Sequence, residues 1–229
     1  MSSYTLPVSC NKDCGAGCPL TAYIENGIIV RIGDNPDRLP FMQGCPRGYQ
    51  SHRAVYSPDR LTTPLIRTGE RGSGEFRESA WDEALGLVAD GLKDAGDNHG
   101  PASIMHIGGS GSCRGAIHNT GSLTTRFFRL FGGFTTFSNG YSSAAEGFVN
   151  PYLFGTGSVG TDAETLLQSK MIILWGANIS DTRFSCELEN VIIAAKKSGV
   201  PVIVIDPRKS RSVERLATDW IPILPGSDT

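Results

Sequence analysis

Met171-Ile172-Ile173-Leu174-Trp175-Gly176-Ala177-Asn178 and Val200-Pro201-Val202-Ile203-Val204-Ile205-Asp206-Pro207-Arg208 are two apolar runs that each end in turn-forming residues. The strands read from them are Met171 to Trp175 and Val200 to Ile205. Glu187 to Lys197 between them has helical spacing, and a later strand falls near Trp220 to Leu224. Continuous apolar strands alternating with a helix predict a parallel sheet covered on both faces, in an α/β doubly wound, Rossmann-like arrangement. Such sheets bind ligands beyond the carboxyl ends of their strands. Those ends read Gly176-Ala177-Asn178, Asp206-Pro207-Arg208 and Pro225-Gly226-Ser227-Asp228. An Asp and an Arg just past a strand suit a ribose hydroxyl, a guanine edge or a phosphate. Ordinary strand-end turn chemistry accounts for the same residues without a ligand.

Upstream, Ala102 to Ile107 reads as a buried strand that runs into Gly108-Gly109-Ser110-Gly111-Ser112, followed by a helical stretch to about Phe131. A glycine-rich strand-to-helix turn gathers backbone amides at a helix start, where a phosphate is stabilised, although many such loops only turn tightly. A dinucleotide fingerprint counted from Gly109 requires glycine where Arg114 stands, which counts against a simple nicotinamide enzyme. Ser79 is the expected N-cap of an earlier helix, with Asp82 and Glu83 in its first turn and Leu85, Val88 and Leu92 on one face.

At the other end of the chain, four of the six cysteines fall within the first 45 residues, spaced Cys10-x3-Cys14-x3-Cys18-x26-Cys45. Structural zinc sites usually pair two close knuckles, a layout that three thiols plus one distant thiol match poorly. A cubane offers four iron corners, three of which one winding loop can reach while a later segment closes the fourth, so the spacing points to a [4Fe-4S] cluster, with zinc or no metal as the alternatives. Gly15 and Gly17 between the thiols permit the backbone to wrap closely with positive φ. Asn26-Gly27 between Thr21–Glu25 and Ile28–Ile32 is a strong hairpin signal and puts the cluster on a small β unit. The prolines around Tyr56-Ser57-Pro58 mark a junction near residue 60. This divides the chain into a cluster domain at 1–60 and an α/β region at 61–229.

The formal charge of −2 gives no reason to expect nucleic acid as a partner. No run of eighteen apolar residues is present, and neither an export leader nor a twin-arginine pair is visible. The expectation is therefore a cytoplasmic chain, or one facing the periplasm if the true start lies further upstream. Cys113 and Cys186 match no ligand pattern, and a lone cysteine is most often a small buried hydrophobe.

Taken in order, the four-cysteine loop, Cys45-Pro46-Arg47-Gly48 with Tyr56-Ser57-Pro58-Asp59-Arg60-Leu61, Gly140-Tyr141-Ser142-Ser143, and Asp206-Pro207-Arg208 with Pro225-Gly226-Ser227-Asp228 resemble the molybdopterin oxidoreductase family, which includes dimethyl sulfoxide reductase, nitrate reductases and formate dehydrogenases. The resemblance implies a bis(molybdopterin guanine dinucleotide) cofactor holding molybdenum or tungsten, with the [4Fe-4S] cluster relaying electrons between it and a partner. It implies that Arg47 lies between cluster and pterin, against the plainer reading of a surface arginine. Ser142 matches the metal-ligating serine of the dimethyl sulfoxide reductase branch, with neighbouring Ser143 and an ordinary loop serine as alternatives. Gly176, Asn178, Asp206, Arg208, Gly226, Ser227 and Asp228 resemble positions that hold the guanine dinucleotide ends. The implied reaction removes oxygen from an S-oxide or N-oxide. The alternatives are another chemistry on the same cofactor (dehydrogenation, hydration or hydroxyl transfer) and an electron-transfer or cofactor-binding module with no chemistry of its own. Family chains are several times longer, so an N-terminal piece of a catalytic chain is expected. The expected partners are a small-molecule substrate, an iron–sulfur subunit and, in some relatives, a membrane anchor.

Overall fold

A computed structural model of the chain describes residues 2–12, 14–108, 120–137, 144–157, 159–183 and 185–227. They form two compact units: the first takes the described residues within 1–52 and 147–229, the second those within 53–109 and 115–146.

The first unit opens with three antiparallel strands, β1 (Ser3–Ser9), β2 (Pro19–Glu25) and β3 (Ile28–Asp34). Asn26 (φ +51°) and Gly27 (φ +81°) form the expected two-residue turn, with Glu25 opposite Ile28. β1 was not anticipated, although Tyr4, Leu6 and Val8 alternate as strand residues do. Leu20, Ala22 and Ile24 of β2 are buried, whereas β1 is exposed along its length. A short helix, α1 (Pro46–Tyr49), follows Cys45, and α2 (Ser51–Val55) comes next.

In the second unit, β4 (Leu65–Arg67) pairs with β5 (Phe76–Glu78), followed by α3 (Trp81–His99) and α4 (Thr120–Phe131). The N-cap of α3 is Ala80, not Ser79; Ser79 is buried one residue earlier, and its hydroxyl donates to Glu83 Oε2 at 2.7 Å. Leu85 and Val88 are exposed, at 58% and 59%, while Leu92 is half-buried, so the described residues leave the first part of the apolar stripe of α3 uncovered. The strand expected over Ala102 to Ile107 shrinks to one parallel bridge, Met105 to Thr135, after a 3-10 turn at Pro101–Ser103. Packing here is aromatic: Phe128 and Phe134 lie 5.5 Å apart between ring centroids, with His106 edge-on to Phe134 at 5.9 Å.

The chain returns to the first unit through α5 (Ala144–Phe154). It continues through β6 (Ile172–Trp175), α6 (Ile179–Thr182), α7 (Leu188–Lys197), β7 (Val202–Ile205), α8 (Arg211–Leu216) and β8 (Asp219–Ile221). The three strands are parallel in the order β6-β7-β8. α7 forms because Ile192 and Ala195 share a face that packs on Ile172, Leu174, Val202 and Val204, and α8 adds Val213 and Leu216. Fully burying each of the larger side chains contributes about 1.5–3 kcal/mol. Gly199 (φ +93°) ends α7, and Lys196 Nζ donates to the Ala217 carbonyl at 2.7 Å. The opposite sheet face carries Ile173 and Trp175, which are 54% and 59% exposed, so the described residues cover one of the two faces. No helix among the described residues is long and apolar enough to cross a membrane.

Candidate functional site

β1 and β2 pair through Ser9 opposite Pro19, which brings Cys10 and Cys18 to one end of the sheet; the Cys10 amide donates to the Cys18 carbonyl at 2.9 Å. Gly15 (φ +74°) and Gly17 (φ +59°) turn the loop that carries Cys14, as the thiol spacing requires. Cys45 arrives from the far side. The Gly44 amide and the Tyr49 hydroxyl both donate to Asp34 Oδ1 at 2.7 Å, and the Tyr49 amide donates to the Cys45 carbonyl at 3.0 Å. Gly44 is obligatory there, since a Cβ would stand 2.5 Å from Tyr49 Cε1 and 2.7 Å from Leu20 Cδ2. A Cβ on Gly48 would meet Cys10 Sγ at 3.4 Å, so the first turn of α1 lies against the first thiol.

Burial pushes the Cys10 thiol up; a backbone hydrogen bond at Lys12 partly offsets this, and the charges of Cys18, Cys14 and Cys45 push it further. The sulfurs of Cys14, Cys18 and Cys45 are therefore each within electrostatic reach of Cys10. Among the described residues, however, no three His, Cys, Asp or Glu side chains converge as they do around a single metal ion. A tetrahedral zinc holds its sulfurs at about 2.3 Å, hence about 3.8 Å from each other. A cubane takes one thiolate at each corner and sets them wider apart. The donor set, four thiols from a three-plus-one loop, thus fits a [4Fe-4S] cluster better than zinc.

A fifth thiol lies at the same place. Cys186 is 8% exposed and packs with Cys18 (3%) and Leu20 in one buried group, and its carbonyl accepts from the Gln43 amide at 3.4 Å. The thiols of Cys18 and Cys186 lie side by side in that group, close enough to couple their ionisation. The neighbouring Cys186 thiol, with burial next, makes Cys18 resist ionisation, while Cys186 is drawn the other way. The neighbouring Arg183, held to Glu189 at 3.9 Å, eases the ionisation of both. A recess of about 520 Å3 between the glycine loop and Ser185-Cys186-Glu187 borders the pair. Sequence reading left Cys186 and Arg183 out, because nothing in their spacing links them to thiols so far away in the chain.

At the carboxyl edge of the parallel sheet, Gly176 and Asp206 end adjacent strands, the Gly176 amide donating to the Ile205 carbonyl at 2.8 Å. Gly176 has φ +61°, with open space where a Cβ would point, so backbone can meet a large flat ligand there. The Asp206 carboxylate is 5% exposed and accepts from the Arg208 amide at 2.9 Å, while the Arg208 side chain is exposed. Asn178 is already engaged: its amide donates to Asp181 at 2.7 Å and its oxygen accepts from Ser212 at 3.0 Å. That arrangement ties α6 to α8 and satisfies the strand-end account for Asn178 without a ligand. Gly226 (φ +77°) and Ser227, which donates back to the Leu224 carbonyl at 2.7 Å, form a turn beyond β8. The buried carboxylate, exposed guanidinium and open glycine corner are compatible with a guanine dinucleotide end. Arg47 is exposed on α1, immediately after Cys45. Ser142, Ser143, Asp228, Cys113 and the Gly109–Ser112 turn lie outside the described residues. In the second unit, Gly108 helps to line a separate recess of about 740 Å3 with His106, Thr125, Arg126 and Arg129, a cationic surface that sequence reading did not find.

The family profile of the molybdopterin oxidoreductases matches residues 60–229, and that of the molybdopterin oxidoreductase Fe4S4 domain matches residues 5–57. The chain belongs to the molybdopterin oxidoreductase family. Its cofactors are accordingly a [4Fe-4S] cluster and the molybdenum bis(molybdopterin guanine dinucleotide). It is 32% identical to the dimethyl sulfoxide reductase DmsA of Escherichia coli (strain K12), over 96% of this chain and 28% of that one. It is also 33% identical to the trimethylamine-N-oxide reductase of Haemophilus influenzae (88% of this chain, 27% of that one) and 32% identical to perchlorate reductase subunit alpha of Dechloromonas aromatica (94% and 23%). The chain thus spans less than a third of the length of these relatives. Its fold matches that of acetylene hydratase from Pelobacter acetylenicus with a TM-score of 0.70 at 23% identity, covering 95% of this chain and 29% of that one.

Proposed function

We propose that this chain forms the cluster-bearing and dinucleotide-holding portion of a reductase that removes an oxygen atom from an S-oxide or N-oxide. The reading is carried by one observation: S-oxide and N-oxide reductases stand at 32–33% identity along 88–96% of the chain. When bound, the pterin-held metal supplies the two-electron oxygen-transfer chemistry. The chain's own residues have more limited tasks. Cys10, Cys14, Cys18 and Cys45 hold the electron relay at the tip of the β1–β2–β3 unit, and the exposed cation of Arg47 stands next to it in sequence. Gly176, Asn178, Asp206, Arg208, Gly226, Ser227 and Asp228 hold and orient the guanine ends along the sheet edge, and Ser142 offers a hard oxygen to the metal. The domain boundary is proposed near residue 60, and electrons are proposed to arrive from an iron–sulfur partner subunit.

The test is the oxidation of reduced viologen by the cofactor-loaded, anaerobically purified protein. Turnover with dimethyl sulfoxide or trimethylamine N-oxide is expected, and Ser142→Ala should lower it at least a hundredfold while iron stays at about four per chain. Turnover with perchlorate but with neither organic oxide would overturn the substrate class. Unchanged turnover in Ser142→Ala would overturn the ligand assignment alone.

A further inference from the structure

Cys186 is absorbed by neither the ligand set nor the dinucleotide edge, yet it is among the most buried of the described cysteines and faces a cluster ligand. Three separate contacts fix it there. The Gln43 amide holds its carbonyl, Cys18 and Leu20 pack on its side chain, and Asn190 at the start of α7 donates to the Phe41 carbonyl at 2.8 Å, so the 185–190 segment is tied to the loop leading to Cys45.

We propose that Cys186 is a hydrogen-bond donor to the Cys18 sulfur of the assembled cluster and so a positioning residue that sets the relay's reduction potential. The inference rests on Cys18 being a cluster ligand, as proposed above. Once Cys18 is a thiolate bound to iron it has no proton to give, and the S–H of Cys186 becomes the donor of the pair. One-electron reduction adds a negative charge to the cluster and its sulfurs. A donor aimed at one of those sulfurs stabilises the reduced form more than the oxidised form and raises the potential. A single hydrogen bond of ordinary net strength corresponds to roughly a three- to tenfold change in the ratio of reduced to oxidised cluster at fixed potential.

The experiment is an EPR-monitored redox titration of the cluster-loaded protein in three forms: unaltered, Cys186→Ala and Cys186→Ser. Cys186→Ala should lower the ratio of reduced to oxidised cluster at fixed potential by roughly three- to tenfold, with about four irons per chain retained; Cys186→Ser, which keeps an O–H donor, should recover most of it. An unchanged titration in Cys186→Ala at full iron content overturns the proposal. Loss of one iron in Cys186→Ala, with the signal of a three-iron cluster, also overturns it and makes Cys186 itself a ligand. Cys18→Ala tests the underlying ligand reading separately: if it keeps an unaltered four-iron signal, that reading fails whatever Cys186 does.

Discussion

Around Cys45 the chain is tied down by contacts that need no ligand: Asp34 accepts from both Gly44 and Tyr49, and Gly44 has no room for a methyl group. At the carboxyl edge of the sheet the geometry is open, with space around Gly176 and Gly226 and the Arg208 side chain directed to solvent. Both places belong to the first unit and both are proposed to hold a redox group. The difference follows from what each must bind. A cluster is assembled on four fixed points, so those points are set by packing, whereas a long dinucleotide brings its own hydrogen-bonding groups and needs a clear edge with a few polar anchors. Substitutions at the first place should therefore deplete iron, and substitutions at the second should deplete nucleotide while leaving iron in place.

The largest effect tests the first place. Cys45→Ala should reduce iron from about four per chain to near none and abolish the cluster's visible absorbance, while guanine nucleotide released by acid hydrolysis persists. Simultaneous loss of the nucleotide would break the comparison by showing that the two places are filled as one. Arg208→Ala makes the opposite cut, with released guanine nucleotide falling about tenfold as one charge-assisted contact is lost and iron unchanged.

How much of this was legible beforehand depends on the reach of the contacts involved. The Asn26-Gly27 hairpin, the strands at 172–175 and 202–205 and helix 188–197 are written in local turn chemistry and short-range periodicity, and the structure places them within two residues of expectation. The three-plus-one thiol loop was readable for the same reason. Cys186 was not, because its partner Cys18 lies in a distant segment and only the docking of residues 185–190 on the cluster loop joins them. Ser79 was misplaced by one position because its hydroxyl serves the Glu83 side chain four residues on, a local use that competes with the capping role. The strand expected at Ala102–Ile107 failed differently: its apolar run is real, but Pro101 starts a 3-10 turn and Thr135 offers a single bridge.

Two glycines sharpen the comparison at smaller scale. Gly44→Ala forces a methyl into Tyr49 and Leu20 and should cost about 1–3 kcal/mol in urea unfolding, with iron occupancy falling as the Cys45 loop shifts. Gly176→Ala meets nothing, but must hold a left-handed backbone at a cost of about 1–2 kcal/mol. Its iron should stay full while nucleotide content drops. Equal iron loss in the two variants would mean that the sheet edge is as tightly coupled to the cluster as the Cys45 loop is.

The smallest effect lies in the second unit and sets the scale of an interaction with no ligand role. Glu83 is pulled from the ordinary 4.5 down to about 2, first by its hydrogen bond from Arg77 and then by that from Ser79. With the folded value depressed, the contribution is fully present above about pH 4.5 and is lost as pH falls toward 2, because the unfolded carboxylate takes up its proton first. Glu83→Gln should therefore unfold at a lower urea midpoint than the unaltered protein at pH 6, with the gap closing between pH 4.5 and 2 and narrowing in high salt. A gap independent of pH would show that Glu83 acts through its hydrogen bond to Ser79 rather than through its charge. In that case the exposed pair with Arg77 would be incidental to how α3 begins.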